Sequence, residues 1–195
     1  PESPQFDGIA NVGVKFSRDG RRVAYVGMRG TQRYLVVDGR EFGPFESVSM
    51  AGVSISPAGR HVALPLVNGG RWHLWLNGEL TRPFDGIAIG HPVFSDDESR
   101  FAYAGKDGTS WSVVADDTES ARGQDLLDDG VGFTSTSVLY AAYKTTEGWQ
   151  VRLGDKTSEI FDAINKPGII LGSTRRSIAF IARRGQQVFV CVDLQ

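Results

Sequence analysis

The chain has 195 residues, of which 41% are hydrophobic and 23% are charged, and its formal net charge at pH 7 is −2. This apolar fraction is that of an ordinary globular protein, and the slightly acidic balance excludes the strongly basic surface of a nucleic-acid-binding protein. No apolar run is long enough to span a membrane, and the single cysteine, Cys191, excludes an intrachain disulfide.

The sequence repeats itself with a period of 39 residues. Phe16-Ser17 is followed at this spacing by Ile55-Ser56, Phe94-Ser95 and Phe133-Thr134, and each pair opens a similar stretch. A weaker fifth copy, with Leu171-Gly172 in this place, matches the first at an offset of 155 residues. A fixed period of this size is typical of stacked or radially arranged copies of one supersecondary unit, and five copies account for the whole chain.

Each copy is predicted to hold four short strands. In the first copy they are predicted at 12–16, 22–28, 34–37 and 45–49, because these stretches are rich in Val, Phe and Tyr and are bounded by turn signals such as Asp19-Gly20 and Asp38-Gly39. No segment shows a sustained helical period. The sequence therefore predicts an all-β, closed five-bladed β-propeller with four-stranded blades, in which residues 1–195 form a single domain.

The fifth copy stops before its last strand. Phe6-Asp7-Gly8-Ile9 has the pattern of Phe45-Glu46-Ser47-Val48 and of Phe161-Asp162-Ala163-Ile164. We therefore predict that this N-terminal strand completes the last blade. Closure of this kind removes an open sheet edge that favours aggregation, so a monomer is expected.

The repeat resembles the WD-type repeat of TolB-like bacterial β-propellers. The shared pattern is Phe-Ser-x-Asp-Gly-x-x-x-Ala-Tyr, followed after a polar loop by Val-Val-Asp-Gly, and residues 16–25 and 36–39 carry it best. Residues 94–103 repeat the first part without the turn glycine. The resemblance implies a binding scaffold and favours a periplasmic or cell-envelope location over a cytoplasmic one, and it implies no active site.

Polar residues that recur at one repeat position are predicted to be structural. One such set shapes the turn between the third and fourth strands of each copy, and comprises Asp38, Asn77, Asp116 and Asp193. A second set shares another position, and comprises Asp7, Glu46, Asp85 and Asp162.

Residues that depart from the repeat are the candidates for function. Gly13, Gly52, Gly130 and Gly168 align at the start of the innermost strand, and His91 takes this position in the third copy. One interpretation is that His91 fills a gap or caps a loop, and that the other polar residues nearby simply belong to solvated loops. The other is a ligand-binding polar rim at the mouth of the central channel, formed by Asn11, His91, Asp128, Asp129 and Lys166.

Three tryptophans align where the loop between the second and third strands enters the third strand: Trp72, Trp111 and Trp149. They can pack between blades, or they can form aromatic platforms on which sugars stack. Their sequence neighbours differ, whereas a multivalent lectin should keep similar polar residues beside each platform.

Signatures of catalysis and of metal binding are missing from the sequence. The three histidines lack the spacing of metal ligands, and there is no G-x-S-x-G nucleophile motif. A five-bladed glycosidase needs paired carboxylates from different blades, but only Asp129 stands on a predicted inner strand. We therefore expect a protein without enzyme activity, cofactor or metal, which binds a protein or peptide on one face. The alternative is a lectin-like glycan-binding module, and a glycoside hydrolase ranks third.

Overall fold

The structure, a computed structural model, describes residues 5–88, 90 and 92–194, and every regular element in this part of the chain is a β-strand. The strands form five antiparallel sheets. By its internal contacts the chain divides into two compact units, Pro1–Pro92 and Val93–Gln195. The predicted all-β class is confirmed, and repeated four-stranded antiparallel sheets are the blades of a β-propeller.

The first unit contains two of the sheets. The first sheet runs in chain order, β1 (Gly8–Phe16), β2 (Val23–Arg29), β3 (Gln32–Val37) and β4 (Arg40–Phe45). The second contains β5 (Ser47–Val48), β6 (Ser54–Ile55), β7 (Val62–Asn68), β8 (Arg71–Leu76) and β9 (Glu79–Leu80). Both β5 and β6 pair with β7, so they are two halves of one interrupted inner strand. A further short strand, β10 (Gly86–Ile87), lies beside β8.

The second unit contains the other three sheets. The third holds β11 (Val93–Phe94), β12 (Phe101–Asp107), β13 (Ser110–Ala115) and β14 (Thr118–Gly123). The fourth holds β15 (Asp125–Phe133), β16 (Leu139–Lys144), β17 (Trp149–Leu153) and β18 (Lys156–Thr157). The fifth holds β19 (Ala163–Ile164), β20 (Ile170–Leu171), β21 (Ile178–Arg184) and β22 (Gln187–Val192), in which β19 and β20 both pair with β21.

Tight turns close the hairpin between the third and fourth strands. Asp38 and Gly39 both have positive φ, 50° and 84°, as a two-residue type I′ turn requires. The Asp38 carboxylate also accepts a hydrogen bond of 2.8 Å from the Val23 amide, where the second strand begins. The structural role predicted for this set of residues is confirmed, because Asn77, Asp116 and Asp193 accept the corresponding hydrogen bonds of 2.9–3.0 Å. The donors are the amides of Val62, Phe101 and Ile178.

The fourth strand predicted at 45–49 is wrong. The outer strand of the first sheet is β4, which ends at Phe45, and Ser47 already pairs with Val67 of the second sheet. The Glu46 carboxylate at this junction accepts a hydrogen bond of 3.1 Å from the Gly70 amide, which fixes it where an inner strand begins. The outer strand was missed because Gly43 and Pro44 have low β-propensity.

The prediction that Phe6–Ile9 closes the last blade is also wrong, because these residues belong to the first sheet. The Asp7 amide donates a hydrogen bond to the Met28 carbonyl, and Gly8 and Ile9 pair with Met28 and Gly27. The Asp7 carboxylate also accepts a hydrogen bond of 2.7 Å from the Gly30 amide. These residues therefore begin the inner strand of the first sheet, as Asp162 does in the fifth sheet, where its carboxylate binds the Gly185 amide.

Neighbouring sheets within each unit pack through apolar clusters. In the first unit, Val26 and Leu35 of the first sheet meet Leu64 and Leu66 of the second, and all four side chains are fully buried. In the second unit one cluster joins the third and fourth sheets and another joins the fourth and fifth. The second of these contains Cys191, whose thiol is free and buried.

Candidate functional site

The innermost strand is interrupted by a bulge. The pairing register shifts between Ile9 and Val14 in β1 and between Leu126 and Val131 in β15. One residue of the interruption is left-handed in every copy. These residues, with their φ values, are Gly13 (75°), Gly52 (73°), Gly90 (88°), Asp129 (54°) and Gly168 (94°).

These dihedral angles identify the left-handed position in the third and fourth copies. In the third copy Gly90 is left-handed, and His91 lies outside the described residues. In the fourth copy the left-handed residue is Asp129, which corrects the alignment on Gly130 by one residue. Aspartate tolerates this conformation better than most non-glycine residues. Asp129 is therefore the residue that departs from glycine at this position in the part of the chain that the structure describes.

The bulges of the fourth and fifth sheets touch. A Cβ placed on Gly168 would lie 3.2 Å from Cδ2 of Leu127. Asp128 and Asp129 lie in the bulge of the fourth sheet and Lys166 lies in the neighbouring bulge of the fifth sheet. All three side chains are exposed. A ligand-binding role for these three residues stays a prediction.

Asn11 occupies the corresponding bulge of the first sheet. Its side chain is exposed. The neighbouring Val12 packs closely on the second sheet, because a Cβ placed on Gly52 would lie 2.8 Å from the Val12 Cβ. Asn11 therefore precedes a residue that packs on the second sheet, and its participation in a polar rim also stays a prediction.

The aligned tryptophans stand where the sequence places them, at the start of the third strand. Trp72 pairs with Phe84, and Trp149 with Phe161, through backbone hydrogen bonds of 2.7–3.0 Å. Both indoles are half-buried. Trp111 is half-buried beneath the Lys106 ammonium, which lies 5.6 Å from the ring centroid. Since β16 separates Trp149 from the bulge of β15, the fourth sheet does not bring its tryptophan and its acidic residues together.

The fifth sheet carries a feature that the sequence interpretation missed. In the part of the chain that the structure describes, no strand pairs with the outer edge of β22, whereas β3, β8, β13 and β17 are each followed by an outer strand. The side chains on one face of β22 are largely exposed, at 62% for Val188, 71% for Val190 and 48% for Val192. The residues that correspond to Val190 and Val192 in the first sheet are Leu35 and Val37, which are 0% and 7% exposed because they pack in the apolar cluster shared with the second sheet.

A cavity of about 290 Å³ opens on the other face of this edge, and it is lined by Arg184, Phe161, Phe189, Cys191 and Glu159 among others. The Arg184 guanidinium lies 5.2 Å and 5.1 Å from the centroids of the Phe161 and Phe189 rings, within cation–π range. It also forms an ion pair with the Glu159 carboxylate. Burial raises the pKa of the Cys191 thiol above its ordinary value, with a smaller contribution from Glu159, so the thiol is neutral at pH 7.

The first sheet shows the same arrangement with its outer strand in place. The Arg29 guanidinium lies 4.4 Å from the Phe6 ring centroid and 4.7 Å from that of Tyr34, and it donates hydrogen bonds of 2.7 Å and 2.9 Å to the two carboxylate oxygens of Glu41 on β4. An offset of 155 residues relates Phe6, Arg29 and Tyr34 to Phe161, Arg184 and Phe189. The sequence signal was therefore present as a repeated arginine between two aromatic residues.

The described residues contain neither a cluster of metal ligands nor a helix that could span a membrane. In residues 5–88, 90 and 92–194, no group of three or more His, Cys, Asp or Glu side chains could hold a metal ion. Across the same residues no helix is long and apolar enough to cross a membrane.

Comparison with known proteins yields structures of low sequence identity. TolB from Acinetobacter baumannii is 10% identical with a TM-score of 0.46, and the match covers 95% of this chain but only 51% of that one. The β-propeller domain of the Trilobed protease from Pyrococcus furiosus is 12% identical, with a TM-score of 0.49 and coverages of 96% and 69%. The Dos1 propeller is 13% identical, with a TM-score of 0.46 and coverages of 95% and 56%.

No protein-family model matches the sequence, and no curated protein sequence matches it. TolB, whose repeat the sequence resembles, is among the matched structures, and this chain spans about half of its length. The propeller interpretation therefore rests on the repeated four-stranded sheets of the chain itself.

Proposed function

We propose that the chain is a non-catalytic scaffold that binds an extended segment of a partner protein by adding it as a strand to β22. The observation that carries this proposal is the unpaired outer edge of β22 among the described residues, in a chain whose other four sheets each have an outer strand. An extended peptide that adds to a sheet edge gains affinity from main-chain hydrogen bonds and specificity from pockets for alternate side chains.

The composition of β22 supports the same proposal. The strand, Gln187–Val192, contains no charged residue and no proline. Edge strands of this kind are normally blunted by charge, proline or a covering element. The closed five-bladed ring predicted from the 39-residue period is retained as part of this proposal, with the added strand as the fourth strand of the last blade.

Titration with a short peptide tests the proposal. The probe is the fluorescently labelled peptide Arg-Glu-Phe-Gly-Pro-Phe, the sequence of β4, and the readout is fluorescence anisotropy. We expect saturable binding, because β4 fills the equivalent edge of the first sheet. A peptide of the same sequence with alternate amides N-methylated is the control, and it should not bind because it cannot donate to the ladder.

Two results would overturn the proposal. One is no saturation up to about 1 mM peptide, a binding free energy weaker than about −4 kcal/mol. The other is binding of peptide only to a chain that lacks residues 1–5, which would show that the N-terminal segment of the chain itself fills the edge. The second result would restore the sequence prediction of an N-terminal closing strand, with its position moved from residues 6–9 to residues 1–5.

A further inference from the structure

We propose that the edge of β22 selects a strand that carries a glutamate opposite Cys191, and that Arg184 is the residue that recognises this carboxylate. This inference rests on the proposed function, since it names the chemistry of the added strand. In the first sheet, Arg29 binds a glutamate of the outer strand, Glu41. In the fifth sheet, Arg184 takes the place of Arg29, but no outer strand is present among the described residues.

The first sheet shows how the recognition works. Glu41 pairs with Val36 in the ladder, and its carboxylate receives two hydrogen bonds from the Arg29 guanidinium. Paired N–H donors of a planar guanidinium match the two oxygens of a carboxylate, which makes this contact directional as well as attractive. The Phe6 and Tyr34 rings hold Arg29 in place. Arg29 lowers the pKa of the Glu41 carboxyl, chiefly through these hydrogen bonds, so the pair is ionised at pH 7.

The fifth sheet repeats every part of this arrangement except the glutamate. At the offset of 155 residues, Val36 corresponds to Cys191 and Arg29 to Arg184. Phe180 pairs with Cys191 as Tyr25 pairs with Val36, so the register of the two sheets is the same. A glutamate opposite Cys191 on an added strand would therefore stand in the place of Glu41, next to the cavity of about 290 Å³ beside the Arg184 guanidinium.

The present partner of Arg184 leaves room for this carboxylate. Glu159 lies in the segment between β18 and β19, and its side chain is 75% exposed. The hydrogen bond that it accepts comes from a single terminal nitrogen of Arg184. Glu41 by comparison is 32% exposed and is bound by both terminal nitrogens of Arg29. A guanidinium has five N–H donors, so Arg184 can bind a second carboxylate without releasing the first.

A comparison of two peptides tests the inference separately from the proposed function. The probes are Arg-Glu-Phe-Gly-Pro-Phe and the same peptide with glutamine in place of glutamate, each titrated against the unchanged chain, Arg184→Gln and Arg183→Gln. Arg183 is the matched control, because it precedes Arg184 on β21 and its guanidinium binds the Gly185 carbonyl. We expect the glutamine peptide to bind about 3- to 10-fold more weakly to the unchanged chain, as for loss of one charge-assisted contact.

The variants decide the cause of this difference. Arg184→Gln should bind the two peptides equally, whereas Arg183→Gln should keep the preference for glutamate. Equal binding of both peptides to the unchanged chain would overturn the inference and leave the proposed function standing. Binding of neither peptide would overturn both. Because the comparison on the unchanged chain is decisive by itself, the test does not depend on whether Arg184→Gln folds.

Discussion

Single residues define the inner bulges of this protein. The left-handed position is glycine in four copies, and in the first unit the reason is both conformational and steric. Gly52 has φ of 73°, and a Cβ there would lie 2.8 Å from the Val12 Cβ. Gly13 has the same conformation, with φ of 75°, but no atom lies within 4 Å of the place where its Cβ would stand. The pair therefore separates the conformational cost of a side chain from the packing cost.

We predict that Gly52→Val lowers the free energy of unfolding more than Gly13→Val does. Both variants place a β-branched residue at positive φ, but Gly52→Val also overpacks the contact with Val12, at an additional cost of about 1–3 kcal/mol. Urea unfolding followed by tryptophan fluorescence measures the difference. Equal losses for the two variants would contradict the close packing of Val12 on Gly52.

A second residue-scale prediction concerns Asp97. Its carboxylate accepts hydrogen bonds from the hydroxyls of Ser95, Ser99 and Ser137 at 2.7–2.8 Å and from the Ser99 amide at 3.1 Å. These bonds, that of Ser95 first, hold the pKa of the Asp97 carboxyl well below its ordinary value. The ionised form therefore stabilises the folded chain at pH values above the unfolded pKa of about 3.9, and this stabilisation is lost as the pH falls further.

Asp97→Asn should accordingly be less stable than the unchanged chain at pH 7. The difference should be constant down to about pH 5 and should shrink below about pH 4, where the unfolded carboxylate takes up a proton. Asp155→Asn removes one carboxylate from an exposed turn and is the matched control for the change in net charge. Thermal unfolding between pH 3 and pH 7 provides the measurement, and a pH-independent loss for Asp97→Asn would count against the predicted mechanism.

At the scale of the elements, β22 differs from the other third strands of the sheets. It is paired on one side only in the part of the chain that the structure describes, and three valines on one of its faces are 48–71% exposed. An exposed apolar edge strand is a template for pairing with another chain. The same property that suits β22 to a partner strand therefore favours self-association when the partner is absent.

We predict that Val190→Lys reduces self-association of the chain. A lysine at the middle of an edge strand opposes edge-to-edge pairing, because its charge is partly desolvated and meets the same charge of the second copy when two edges pair. Gln186→Lys adds the same charge in the exposed turn that precedes β22 and is the control. Light scattering at increasing concentration compares the two variants, and an equal effect of both would assign the change to net charge rather than to the edge.

At the scale of the whole molecule, the 39-residue period predicts the repeated four-stranded unit well. It predicts less well at which residue each sheet begins and ends. The second and third strands lie within two residues of their predicted positions, because alternating Val, Phe and Tyr residues between tight turns identify them. The outer strand β4 was missed because Gly43 and Pro44 weaken its signal. The start of the inner strand was misplaced because the interaction of Asp7 with the Gly30 amide is long-range and leaves no local pattern.

The candidate site was less predictable than the fold. Polar residues of the inner bulges are visible in the sequence, but the register of the bulge depends on backbone dihedral angles, which is why Gly90 and Asp129 were not recognised as the left-handed residues. The Arg184 cavity depends on an outer strand that the fifth sheet lacks among the described residues. Such a feature is visible only once pairing of the other four sheets is known.

Amide hydrogen exchange across β21 and β22, with and without the peptide Arg-Glu-Phe-Gly-Pro-Phe, tests the central claim most directly. In the chain alone, we predict that alternate amides of β22 exchange much faster than those of β21, which is paired on both sides. The peptide should then slow these amides and leave the amides of β3, which already pairs with β4, unchanged. Uniform protection of β22 in the chain alone, or exchange that the peptide does not alter, would contradict strand addition at this edge.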